Sequence, residues 1–127
     1  MFRIDKYNVN VTIDLENGVY TFENLSASGK TRLAKLFSKW QAYGEPVASY
    51  TYIDKLRNIS LHDILFDKDI EVVVLDRYDM YKGFCSNEVI QVAGDKIILI
   101  DCKSETLINI PIETCFIEMS EHSIEVN

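Results

Sequence analysis

The chain has no apolar run approaching the roughly 18 residues that span a bilayer. Its N-terminus, MFRIDKYNVN, is too polar for a secretory signal. Both lacks point away from secreted and membrane-spanning proteins and toward a cytoplasmic one. Histidine and cysteine are scarce. With His62 and His122 and an odd set of three cysteines, Cys85, Cys102 and Cys115, no metal-ligand spacing forms. Cys102 and Cys115 follow strand-like runs and read as small apolar fillers. Positive charge is short as well: 13 Lys and Arg stand against 20 Asp and Glu, for a net charge of −7. That balance excludes sequence-independent nucleic-acid binding, which needs a basic surface to neutralise phosphates. No base follows Lys103, whereas Glu105, Glu113, Glu118, Glu121 and Glu125 do. This acid-rich end reads first as a solvated face and second as a patch for a basic partner.

What is present is ordinary globular material: 127 residues, 47% apolar and 26% charged, the length of one domain over 1–127. From Phe2 to Leu15, Val9, Val11, Ile13 and Leu15 alternate with polar residues, the period of a half-buried strand. Glu16-Asn17-Gly18 predicts a tight hairpin turn into a return strand, Val19–Phe22. After Gly29 the period lengthens. Leu33, Leu36, Phe37, Trp40 and Tyr43 recur at steps of three and four, predicting an amphipathic helix from about Lys30 to Tyr43. Gly44 suits its left-handed cap and Pro46 prevents continuation.

Val47–Ile53 reads as a strand with Tyr50 and Tyr52 on one face, and Ser60 as the cap of a short helix through Leu65, with Asp63 in the capping-box position. Ile70–Asp76 and Lys96–Asp101 are near-continuous apolar runs, as expected of strands covered on both faces. A short helix over 86–92 ending near Gly94 separates them. Thr114–Glu118 and Ser123–Val126 predict antiparallel edge strands. The fold expected is therefore α/β: a three-layer domain with a mainly parallel central sheet, an N-terminal β-hairpin and antiparallel C-terminal edge strands.

Ser26-Ala27-Ser28-Gly29-Lys30-Thr31 lies between a strand and a helix, the context of a phosphate-binding loop. A helix N-terminus offers unpaired N–H groups and partial positive charge to an anion. Small residues at 26–28 let the backbone approach phosphate oxygens, and Gly29 permits an unusual backbone angle. Lys30 would reach the β- and γ-phosphates, the Thr31 hydroxyl would ligate Mg²⁺, and Asp76 would hold the same ion through water.

The chain resembles the P-loop NTPases, with Asn24–Thr31 as Walker A and Val72–Asp76 as Walker B. The order of elements looks most like the ABC-type ATPase core of the SMC, RecF and OLD proteins, where a phrase similar to Glu16-Asn17-Gly18-Val19-Tyr20 precedes the loop. The resemblance implies ATP or GTP with Mg²⁺ as cofactors and a strand at Lys96–Asp101 lying between the Walker A and Walker B strands. Asn24 stands where the family's first loop glycine does, as the best non-glycine residue for a left-handed backbone. Leu25 adds bulk beside it. Arg77 replaces the catalytic Glu usual after the Walker B acid, and a guanidinium takes no proton from water. Asp79 is the candidate substitute base, with a salt bridge to Arg77 or Lys82 as its alternative role. Asp101 beside a γ-phosphate would repel it unless Mg²⁺ or Lys30 intervenes. The signature segment of the ABC type is missing.

Three functions follow from these residues. The first is a nucleotide-binding, weakly or non-hydrolysing regulatory protein that works with a protein partner or as a homodimer. The second is a P-loop scaffold that no longer binds nucleotide, an acidic interaction module or inhibitor using its C-terminal acids and exposed tyrosines Tyr50, Tyr52, Tyr78 and Tyr81. The third is a nucleotide kinase, since Asp76-Arg77-Tyr78 is similar to the Asp-Arg-Tyr of thymidylate-kinase-like enzymes; against it, no arginine follows Arg77 to clamp a transferring phosphoryl group. Trp40 reads as core, His62 as a surface residue, and His122 has no visible partner.

Overall fold

The computed structural model describes residues 1–23, 27–81, 86–102 and 110–127, and for Ala27 and Ser28 the backbone alone. Its centre is an all-parallel five-stranded sheet. In chain order the strands are β3 (Gly18–Phe22), β4 (Val47–Tyr50), β5 (Val72–Leu75), β6 (Ile97–Ile100) and β7 (Glu113–Cys115), and in space the order is β4-β5-β6-β3-β7. β6 thus lies between β3 and β5, where the resemblance puts the Lys96–Asp101 strand.

A second, four-stranded sheet comprises β1 (Phe2–Lys6), β2 (Val9–Ile13), β8 (Ile117–Met119) and β9 (Ser123–Val126), ordered β1-β2-β9-β8. β2 and β9 run parallel; the other pairs are antiparallel.

Alternation along the parallel strands divides the interior. Val72, Val74 and Leu99 join α1 (Ala27–Ala42) and the second sheet in one cluster, through Leu33, Phe37, Trp40, Val11, Ile13, Ile124 and Val126. Val73, Leu75, Ile98 and Ile100 face the other way, onto α3 (Leu61–Leu65) and α4 (Ser86–Val92). Burial on both faces is why these strands read as unbroken apolar runs.

Three expectations are corrected. The hairpin turn is at Tyr7-Asn8, with φ of 55° and 63°, and not at Glu16-Asn17-Gly18. Such a pair of left-handed residues matches the twist of a two-residue hairpin, and Tyr7 gains ring contacts with Trp40 and Tyr43 there. Asn17 instead lies where the chain leaves β2 for β3 in the other sheet, and its Nδ2 donates to Gly94 O (3.3 Å). Second, the strand expected over Val47–Ile53 stops at Tyr50. Thr51 begins α2 (Tyr52–Leu56), whose capping box pairs Thr51 Oγ1 with Ile53 N–H and Asp54 Oδ2 with Thr51 N–H. Third, Thr114–Glu118 is not one antiparallel edge strand, and Ser123–Val126 is no edge: as β9 it lies between β2, to which it runs parallel, and β8. β7 is a parallel edge of the large sheet and β8 an antiparallel edge of the small one, with the chain crossing between sheets at Phe116.

The stop of α1 is as expected. Gly44, at φ 85°, donates to Gln41 O, and Glu45 N–H closes on Trp40 O. Ser60 caps α3 by accepting from Asp63 N–H (3.2 Å).

Candidate functional site

Parallel strands bring their C-terminal ends to one edge of the sheet, the edge at which open α/β sheets take ligands. β5 and β6 pair Leu75 with Ile100, so the next residues out, Asp76 and Asp101, are neighbours. Asp101 N–H donates to Leu75 O and Tyr78 N–H to Asp101 O, which fixes this corner of backbone. The two carboxyl groups hydrogen-bond one another. Burial, together with that bond and the charge of Asp101, pushes Asp76 up from the ordinary 3.8 to about 6, against the opposing pull of Arg77.

α1 supplies the counter-charge. Lys30 Nζ lies 3.5 Å from Asp101 Oδ1, both side chains being mostly covered at 16% and 22% exposure. Two acids and one ammonium therefore meet where the first turn of α1 opens. That turn leaves backbone N–H groups without intrahelical acceptors.

The expected site residues separate as follows. Asn24, Leu25 and Ser26 lie outside the described residues, as do Lys82, Cys85, Lys103 and Glu105. Ala27, Ser28 and Gly29 are in α1, which starts earlier than the expected Lys30. Gly29 does not use that freedom: its φ is not positive. It packs closely on β8: a Cβ there would sit 3.2 Å from Met119 Sδ and 3.6 Å from Ile117 Cδ1, so the Met119 side chain would have to give by a few tenths of an ångström. Lys30, Asp76 and Asp101 come together. Thr31 is exposed on the next turn position of α1.

Asp79 pairs with Arg77, whose Nε lies 3.6 Å from Asp79 Oδ1. Arg77 itself holds a left-handed backbone, φ 53° and ψ 48°, where the chain turns from β5 into a 3-10 turn at Tyr78–Met80. A non-glycine residue in that region costs of order 1 kcal/mol or more. Nothing in the sequence reading anticipated this bend.

The exposed tyrosine group is contradicted at three of its four positions, Tyr52 being exposed. Tyr50, Tyr78 and Tyr81 are buried, with edge-on ring contacts Tyr50–Tyr81 and Tyr78–Tyr81. Tyr81 OH donates to Asp76 O (2.8 Å) and lies 3.1 Å from Tyr50 O, so this ring buttresses the acid-bearing strand end from behind. Tyr52 is on α2 and partly exposed. Buried tyrosines need such acceptors for their hydroxyls.

Trp40 is fully buried, as expected, and His62 lies on the surface, stacked on Phe66 and 3.5 Å from Glu88. His122 Nε2 is 3.8 Å from Glu121 Oε1. The acid-rich end is tied down by an unanticipated contact, in which the Arg32 guanidinium donates to the carbonyls of Ser120 and Glu121, each at 2.9 Å. Cys115 is buried, and burial raises its thiol to about 12. Among the described residues no helix is long and apolar enough to cross a membrane, and no group of three acids, histidines or cysteines forms a metal cage. A scan against family models and searches of curated proteins and of solved structures find no match to this chain.

Proposed function

We propose that this chain binds ATP or GTP with Mg²⁺ at the start of α1 and hydrolyses it slowly or not at all, acting as a regulatory protein. The observation that carries this reading is the meeting of Lys30, Asp76 and Asp101 at the C-terminal edge of a parallel sheet. An ammonium and the first turn of a helix attract a polyphosphate, and the two carboxylates give a hard cation oxygen ligands. Thr31 and Asp76 are the residues that would hold Mg²⁺, and Ser26, Ala27, Ser28, Gly29 and Lys30 would line the phosphates behind Asn24. Slow turnover follows from Arg77 in the position after Asp76; the Asp79 carboxylate, paired with it, is the remaining base.

Titration with a fluorescent nucleotide in the presence of Mg²⁺ tests the reading. Saturable binding lost in Lys30→Ala and weakened in Asp76→Asn is expected; affinity indifferent to Lys30→Ala overturns it. Phosphate release abolished by Asp79→Asn would assign that carboxylate as the base. A second reading, a scaffold without nucleotide, is favoured by one contact: Lys30 is already neutralised by Asp101. Its contact surface then rests on the C-terminal acids and Tyr52, since Tyr50, Tyr78 and Tyr81 are buried. Melting with and without Mg–nucleotide separates the two, since a ligand of the folded state raises the melting temperature by linkage.

A further inference from the structure

β1 is an edge strand, bonded on one side to β2 and, among the described residues, to no strand on the other. Which main-chain groups it leaves open follows from the hairpin. In a two-residue hairpin the closing pair, Lys6–Val9, exchanges both hydrogen bonds. Alternation then makes Asp5–Asn10 and Arg3–Thr12 the non-bonded pairs, with N–H and C=O groups turned away from the partner. β2 agrees: Asn10 N–H donates outward to His122 O (2.8 Å). The N–H and C=O groups of Arg3 and Asp5 therefore point off the sheet, and among the described residues none bonds to them.

Unlike the long edge of β1, β4 at the rim of the large sheet is blunted, its Ser49 N–H engaged by Gln41 Oε1 at 3.3 Å. An open edge is a template for another strand.

A groove runs along the same edge. A cavity of about 350 Å³ has residues 1–6 on one side and Glu45, Pro46 and Glu71 on the other. A neighbouring one of about 350 Å³ shares Met1, Phe2 and Glu71 and adds Glu16. Acids outnumber bases here, with Asp5, Glu16, Glu45 and Glu71 against Arg3 and Lys6. Lys6 is itself bound to Glu45, Nζ to Oε1 at 3.0 Å.

We propose that β1 and this groove bind an extended, basic segment of a partner protein by strand addition. The main-chain groups of Arg3 and Asp5 supply the ladder, and the surrounding carboxylates select Lys or Arg at alternate positions of the incoming strand. The occupant is basic because an acidic or neutral strand gains nothing from this rim and an acidic one is repelled.

The test uses the full chain and a short synthetic peptide of alternating Lys and Val, with its Glu/Val counterpart as control. Binding of the Lys/Val peptide should slow hydrogen exchange at the Arg3 and Asp5 amides by at least about tenfold, a factor that corresponds to one well-made interaction. Arg3→Pro removes an outward N–H that no ladder bond uses, so the fold tolerates it, while peptide affinity falls about tenfold. Glu71→Lys leaves the edge intact and weakens the Lys/Val peptide alone. The proposal fails if the two amides gain no protection, if neither variant changes affinity, or if the Glu/Val peptide binds equally well. It also fails if the amides become protected with rising protein concentration and no peptide, because a second copy then covers the edge.

Discussion

Asp76 sits in an environment at odds with its charge. Half-buried beside Asp101, it holds its proton to about pH 6 in the folded chain, against 3.8 for a free carboxyl. A folded-state value above the unfolded one means that the folded chain binds the proton more tightly. This contribution to stability is complete below about pH 4 and is lost as pH rises through 6. On a dry site the displacement would amount to about 3 kcal/mol; with the group half in solvent, screening leaves about 1 kcal/mol. Asp76→Asn keeps the shape and cannot ionise. Urea unfolding between pH 4 and pH 8 should show the wild-type chain losing about 1 kcal/mol more than the variant. Equal slopes would mean that the two carboxyls do not share a proton.

At the scale of elements, α1 shows how a sequence announces its own boundaries. Gly44 ends the helix at φ 85°, and a Cβ there would meet nothing within 4 Å. Gly44→Ala is thus a purely backbone change, expected to cost about 1 kcal/mol by chemical denaturation. A neutral result would show that the left-handed cap is dispensable. From Lys30 onward the same helix was legible, because Leu33, Phe37 and Trp40 all face one core and nothing competes with their period. The buried strands β5 and β6 were legible for a similar reason, and with them the pairing that brings Asp76 beside Asp101. Two elements were not. α2 buries no residue, so no periodicity marks it; its signal was Thr51 and Asp54 in capping-box spacing. The Tyr7-Asn8 turn was hidden because a tyrosine is an unusual left-handed residue, stabilised by the rings of Trp40 on α1 and Tyr43 just beyond it, which lie far along the chain. At the site, charge and residue type identified Lys30 and Asp76. They did not identify the close packing of Gly29, since its neighbour there, Met119, comes from the far end of the sequence.

The whole molecule is two sheets that share one cluster of side chains and exchange chain twice. β2 leads into β3 across the sheets, and β7 leads into β8 through Phe116 alone, whose N–H and C=O both bond to Asn127. Cys115 on β7 and Ile117 on β8 enter the same core from the two sides of that crossing. Separating the sheets would expose Val11, Ile13, Ile124 and Val126 together with the α1 face of the parallel sheet, a loss of apolar burial no partial structure can offset. The chain should therefore unfold in one cooperative step. Cys115, 1% exposed and with its thiol raised to about 12, is the natural reporter. Its alkylation, followed residue by residue by mass spectrometry across a urea series, should track the same midpoint as the loss of Trp40 fluorescence. Trp40 lies on α1 and Cys115 on the edge strand β7, so coincident midpoints tie helix, parallel sheet and second sheet into one unit. Labelling of Cys115 well below the fluorescence midpoint would mean that the β7–β8 crossing opens by itself and that the second sheet is a separable layer.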